Sequence, residues 1–338
     1  MKKTLLVLAL LLIAAAAAFL TLGGGNDSSG RNGGTNSNFT VSDEEIEQLT
    51  KIPSLTQSFS NASANYDAKA AYAKGDYETA HKLWLTLAGS DDDAAFAQYS
   101  LGLLYANGYG VAQSDSTARD WWQKSKRDIG QSRVLLSILP DPSDPQYTYA
   151  TLHEKWQPAA AAGDADAQYK LAFLYLTGIG VPQNDTKALI WFEKAANQNH
   201  AAAQYQLGKI HDRSNRVPCA AAQAIQWWEK ASALGNADAQ NILALRYDMG
   251  FHLTPHYPRD ECRAIALREQ AAAQGHPEAQ TWLAQTYMYD QPHCNLVANR
   301  DKARALLEQA IANGGEHTRK QAERVLYALE HNGRYPSP

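Results

Sequence analysis

The chain has 338 residues, of which 45% are apolar, and carries 31 Lys and Arg against 35 Asp and Glu, a net charge of −4 at pH 7. That balance provides no basic face for nucleic acid and no charged tail. Its three cysteines all lie at or beyond Cys219, which excludes lipid attachment to a cysteine near the N-terminus.

Met1-Lys2-Lys3 precedes nineteen uncharged residues, Thr4 to Leu22, rich in Leu and then Ala. The apolar core of an export signal runs ~7–15 residues and a membrane-spanning helix ~17–25. The length favours an anchor, while the run Ala14 to Ala18 offers an A-x-A cleavage site. With Lys2 and Lys3 on the cytoplasmic side, everything after Leu22 is expected to be translocated, giving a protein anchored in the inner membrane and facing the periplasm, or released there after cleavage. Residues 23–41 are rich in Gly, Ser and Asn and read as a flexible tether. In the lead-in, 42–64, Ser42 with Glu45 makes a capping box ahead of Ile46 and Leu49, so a short helix is expected there.

Residues 65–338 are repetitive. From Gln168 to Gln204 is 36 residues, and Trp191 and Trp227 each follow their Gln by 23. A fixed period of this size marks an array of helix pairs, an all-α solenoid. Leu171, Ala172 and Tyr175 follow Gln168 by three, four and seven, which puts them on one helix face. Ala188, Trp191, Phe192, Ala195 and Ala196 form the stripe of the second helix. Between the two, Gly178 suits a left-handed C-cap, and Asn184 or Asp185 caps the next helix.

The other units follow the same spacing. An opening unit, Tyr66 to Asp93, carries Leu83 and Trp84, and the next has Gln98, Leu101, Gly102, Tyr105 and Trp121-Trp122. Gln98 lies 70 residues before Gln168, nearly two periods, so a degenerate unit is expected between them. Its first helix holds Val134 to Leu139, its loop Pro140 to Pro145, and its second helix Leu152, Trp156, Ala159 and Ala160. Gln240 and Gln280 head the last two units, where Leu267 and Leu306 take the Trp position. Ala322, Val325, Leu326 and Leu329 form the stripe of a polar-faced C-terminal capping helix.

The run A-x-x-Q-x-x-L-G/A-x-x-Y, then G-x-G-V, then K-A-x-x-W-x-x-K-A-A resembles the Sel1-like repeat, a relative of the tetratricopeptide repeat with a longer inter-helix loop. The resemblance covers roughly Asn65 to the C-terminus. It implies a protein-binding scaffold in envelope signalling, assembly of membrane complexes or host contact. Some periplasmic proteins similar to this family are immunity proteins that block a toxic secreted effector, which is the alternative. Some cysteine-rich members bind or hydrolyse β-lactams, but their disulfide spacing is absent here.

Positions at minus two, plus one, plus five and plus eight from each Gln are expected to face the inner groove, where related superhelices bind partners. The groove candidates are Phe96, Tyr99, Leu103, Tyr169, Phe173, Leu176, Tyr205, Lys209, Asn241 and Thr281. The early ones are aromatic, as interface anchors are, and the late ones polar. The competing reading packs the same aromatics between repeats.

The segments around His252, His256 and Cys262, and around His293 and Cys294, lengthen the loops of adjacent units. In an oxidising compartment Cys262 and Cys294 can pair and staple the two loops. Cys219 with Cys262 is the second pairing, and a zinc site from His252, His256, Cys262 and Cys294 is the third reading. Catalysis has little behind it. There is no G-x-S-x-G or H-E-x-x-H, and Gly178-Ile179-Gly180 recurs as Gly108-Tyr109-Gly110 in a helix-terminating loop. No cofactor and no catalytic residue are expected, the partner is expected to be one or more proteins, and the membrane enters only through residues 1–22.

Overall fold

A computed structural model of the chain describes residues 53–90, 94–144, 147–213, 218–249, 259–331 and 333–335. The anchor or signal segment 1–22, the tether 23–41 and the Ser42–Glu45 capping box lie outside the described residues. Of two units, Met1–Tyr66 and Asp67–Pro338, the first is described only over residues 53–66. Among the described residues no helix is long and apolar enough to cross a membrane.

The described residues form fifteen α-helices and no sheet. Helices α1 (Pro53–Ala73) and α2 (Tyr77–Leu87) open the array, and α1 runs through the expected lead-in boundary near residue 64. The repeats are α3 (Ala94–Asn107) with α4 (Asp115–Ser125), α5 (Gly130–Ile138) with α6 (Leu152–Ala161), and α7 (Ala165–Thr177) with α8 (Asp185–Asn197). Then come α9 (Ala201–Arg213) with α10 (Pro218–Ala233), α11 (Ala237–Met249) with α12 (Glu261–Ala273), and α13 (Pro277–Tyr287) with α14 (Arg300–Asn313). Helix α15 (Glu316–Glu330) ends the array. The solenoid is as expected, but the degenerate unit is not a true pair. Helix α5 packs on α4, and α6 on α7, with little contact between α5 and α6. The proline-containing loop that joins them replaces the tight turn of the other units.

The repeated Gln is a staple between consecutive helices. Gln168 Nε2 donates to Ala160 O at 3.0 Å, Gln204 to Ala196 O at 3.0 Å, Gln240 to Ser232 O at 3.4 Å and Gln280 to Ala272 O at 3.3 Å. Each acceptor is one of the last carbonyls of the preceding helix, which have no partner inside their own helix. The Tyr seven residues after Gln reaches back in the same way. The hydroxyls of Tyr105 and Tyr175 lie 3.2 and 2.8 Å from His81 and His153, and those of Tyr247 and Tyr287 donate to Glu229 and Glu269.

Size matching sets the distance between the helices of a pair. The residue after the expected Trp position is buried in each of these units, as Trp122, Phe192, Trp228, Arg268 and Leu307; of the expected positions themselves, Trp121, Trp191 and Trp227 are half-buried and Leu267 is buried. Four residues after each Gln, the chain has Gly102, Ala172, Gly208, Ala244 and Ala284 in the same order. Glycine thus occurs where the buried partner is Trp. A Cβ on Gly102 would fall 2.2 Å from Trp122 Nε1, and one on Gly208 2.1 Å from Trp228 Nε1. In the loops, Gly180 has φ +69°, and its Cβ would meet Tyr149 O at 2.4 Å, so this G-x-G is a close approach between repeats.

Helix α15 buries Ala322, Val325 and Leu329 and exposes Lys320, Glu323 and Arg324, the face expected of a cap. Its N-terminus does not end the array in solvent. Gly315 lacks a capping side chain, and Asp128, from the turn between α4 and α5, accepts the His317 N–H at 3.4 Å. The array is curved enough for its end to meet its second repeat.

Candidate partner-binding cleft

Among the first repeats lies an open cleft of about 510 Å³. Helices α1, α2 and α3, the turn before α5, and the end of α7 with the loop after it wall the cleft. Phe96, Tyr99 and Leu103 come from successive turns of α3, and Leu176 comes from α7, so two repeats contribute to one surface. Trp84 forms the floor, with its ring edge-on to Phe96 at 6.5 Å and tilted against Tyr72 at 5.7 Å. Lys69 Nζ sits 4.1 Å above the Phe96 ring, and Lys69 and Asp185 are the charged residues of the lining. Burial, reinforced by Tyr109 and Tyr77, pushes the Tyr72 phenol up to about 12, so at neutral pH it stays protonated. Ser100 Oγ donates to Phe96 O at 2.9 Å within its own helix. Among the described residues the lining pairs no nucleophile with a base. Its chemistry is apolar contact with a polar rim.

Four of the ten groove candidates, Phe96, Tyr99, Leu103 and Leu176, therefore meet. The structure corrects three others. Phe173 and Thr281 are fully buried and Tyr169 is 7% exposed, so these are core residues rather than partner contacts. The reason is packing within a helix pair and against the next unit. Phe173 lies edge-on to Phe192 at 5.3 Å, Tyr169 stacks on His200 of the next unit at 4.5 Å, and Thr281 Oγ1 donates to Pro277 O. Tyr205, Lys209 and Asn241 are half-buried and lie outside the cleft.

Tyr205 and Lys209 border a polar seam instead. His200 Nδ1 accepts the Ala203 N–H at 3.1 Å and so caps α9, while its Nε2 lies 3.1 Å from Asp166 of the preceding repeat. His276 does the same two units later, with Nδ1 facing the Ala279 N–H and Nε2 3.3 Å from Asp238. Arg133, from the degenerate unit, reaches Asp238 at 3.4 Å. Burial raises the Asp238 carboxyl, but the His276 hydrogen bond and the charges of His276, Arg133 and Lys209 outweigh it and hold the group below its ordinary value. A lowered carboxyl stabilises the fold above its unfolded value near 3.8, and that contribution is lost as pH falls through the folded value. Acid titration monitored by circular dichroism is expected to show wild type losing stability relative to Asp238→Asn only below about pH 4. An equal loss in both proteins would contradict this.

The loops of the last units carry a second cluster. Cys262, at the start of α12, and Cys294, in the short turn after α13, form a disulfide with Cα atoms 5.1 Å apart. This is the expected staple and not the Cys219–Cys262 pairing, while His252 and His256 of the zinc reading lie outside the described residues. The zinc reading from sequence left out two residues here. Glu261 precedes Cys262 and His293 precedes Cys294, and the two side chains meet at 2.6 Å. Their adjacency to the paired cysteines was the available signal. The bridge spans 32 residues. Cys262→Ser is therefore expected to cost about 3–4 kcal/mol on the chain-entropy estimate. Urea unfolding of oxidised wild type against the variant measures it, and a difference under about 1 kcal/mol would contradict it.

The profile described as Sel1 repeat matches residues 95–127, 165–200, 201–236, 237–276 and 277–315, more than half of the chain. A solved protective antigen of uropathogenic Escherichia coli strains with an SLR fold is 25% identical, at a TM-score of 0.47 over 82% of this chain. The present chain spans 58% of that protein's length. A Sel1 repeat protein from Oxalobacter formigenes is 24% identical, at a TM-score of 0.42 over 81% of this chain and 91% of its own. An immunity protein from Pseudomonas aeruginosa is 15% identical, at a TM-score of 0.26 over 80% of this chain and 85% of its own.

Proposed function

Because the chain belongs to the Sel1 repeat family, we propose that it is a non-catalytic protein-binding scaffold, with a partner polypeptide seating an apolar side chain against Phe96, Tyr99, Leu103 and Leu176. The observation that carries this reading is the convergence of these residues from repeats 70 positions apart onto one open cleft. Half-exposed aromatics over a buried Trp floor are what interface anchors fill. With one Lys and one Asp in the lining, the cleft is electrostatically balanced, which favours a peptide segment over a strongly charged ligand.

The Cys262–Cys294 bridge supports an oxidising compartment. Together with Lys2-Lys3 and the uncharged segment Thr4 to Leu22, it supports reading the scaffold as a cell-envelope protein. A photoreactive side chain at position 103 in the full chain is expected to cross-link a discrete protein in envelope extracts, and one at Asn241 is not. A toxic secreted effector as that protein would make the scaffold an immunity protein, and a membrane-complex subunit would make it an adaptor. Cross-linking from position 241 alone would contradict the cleft assignment.

A further inference from the structure

The cluster at the last loops holds more than a staple. Cys262, His293 and Cys294 bring two sulfurs and an imidazole nitrogen within 4.8 Å of one another. Cys262 and His293 are exposed and Cys294 is half-buried, so both a reductant and a metal ion can reach them. His293 Nε2 lies 2.6 Å from Glu261 Oε2. A carboxylate on one imidazole nitrogen fixes the ring and leaves the other nitrogen for a metal, as in many zinc sites.

Both sides of the cluster are held independently of the disulfide. Cys262 stands in the first turn of α12, where Asp260 Oδ1 accepts the Arg263 N–H at 2.9 Å. The turn presenting His293 and Cys294 is closed by Gln291 N–H to Leu296 O at 2.8 Å and Leu296 N–H to Gln291 O at 3.1 Å. Reduction therefore leaves the ligands facing each other. Zn–S bonds of ~2.3 Å and Zn–N bonds of ~2.0 Å in a tetrahedral site set ligand atoms ~3.3–3.8 Å apart. The two sulfurs separate from bonding distance to reach that spacing by movement of Cys262 in the first turn of α12 and of Cys294 in its short turn.

We propose that reduction of the Cys262–Cys294 disulfide opens a zinc site whose protein ligands are Cys262, His293 and Cys294, with water in the fourth position and Glu261 as the positioning residue for His293. A dithiol reductant supplies two electrons and two protons, converting the disulfide to two thiols while it becomes a disulfide itself. Zinc then displaces the thiol protons and binds two thiolates. Two thiolates and an imidazole are a donor set that favours Zn²⁺ over hard cations. The loops are thus tied by a covalent bond under oxidising conditions and by a metal under reducing ones.

The test uses the full chain with Cys219→Ser, so that the third thiol takes no part. Oxidised protein and dithiol-reduced protein freed of reductant are titrated with Zn²⁺ against a chromogenic chelator, and with Cd²⁺ to read thiolate-to-metal charge transfer in the ultraviolet. The expected result is one equivalent bound with a charge-transfer band in the reduced protein and none in the oxidised protein. Glu261→Gln is expected to weaken binding about 10-fold, and His293→Ala and Cys294→Ser by more. Absence of stoichiometric binding by reduced protein whose helical circular dichroism is intact would overturn the proposal, as would undiminished binding by Cys294→Ser or His293→Ala. If either variant misfolds, the reduced and oxidised forms of the parent protein decide the matter.

Discussion

Trp228→Ala is expected to destabilise the fold by about 3–5 kcal/mol, and Gly208→Ala by about 1–3 kcal/mol through overpacking of the same contact. The Trp228 indole is fully buried, and its Nε1 donates to Tyr205 O at 3.3 Å. A methyl group on Gly208 would occupy that nitrogen's space, so the indole must move off its acceptor or the helices must part. The unit built on Gln168 solves the same problem with Ala172 and Phe192. Gly208→Ala combined with Trp228→Phe is therefore expected to recover most of the overpacking loss, a favourable coupling within the 0.5–3 kcal/mol range of contacting pairs. Urea unfolding of the four proteins gives the cycle. Additive losses would contradict size matching as the rule that sets helix spacing. Domains carry only about 5–15 kcal/mol of net stability, so the Trp228→Ala loss alone removes a large fraction of it.

Asp248→Ala is expected to cost about 3 kcal/mol, at the lower end for breaking a buried ion pair, because it strands a charge. Arg268 occupies the slot that holds Trp122, Phe192 and Trp228 in other repeats, and it is 4% exposed. Its guanidinium pairs with Asp248 and lies 5.4 Å from the Trp282 ring, while its Nε has no acceptor among the described residues. Asp248 is 29% exposed at the side chain and can return to water when the Arg is removed. Arg268→Phe is therefore expected to change stability by less than about 1 kcal/mol, since a well-packed apolar residue can replace a buried pair without loss. Thermal unfolding of both variants reads the contrast. Equal destabilisation by the two would mean that the pair contributes net stability of its own.

The helix pairs were legible because a 36-residue period and the spacing from Gln to Trp require nothing beyond local sequence. What local sequence did not reveal was which of two adjacent aromatics turns inward. Trp121 and Trp122 both fit the stripe, and only the position of Gly102 opposite the indole decides between them. Four of the cleft residues, Phe96, Tyr99, Leu103 and Leu176, were legible for the same reason of register, but Phe173 and Tyr169 share that register and are buried. Their fate depends on Phe192 and His200, in elements that sequence spacing cannot orient. The docking of Asp128 at the start of α15 joins residues 189 apart and follows from curvature, which accumulates over all the repeats. The partnership of Cys262 with Cys294 was legible because insertions in consecutive units lie side by side.

The most direct measurement is cross-linked affinity capture from envelope extract with the intact chain and with a Phe96→Ala, Leu103→Ala version of equal helicity and thermal stability. The expected result is a partner protein recovered with the intact chain, with binding lost or at least tenfold weaker in the variant when that partner is titrated in purified form. Equal recovery and equal affinity with both chains would contradict the cleft as the binding surface and move recognition elsewhere on the solenoid.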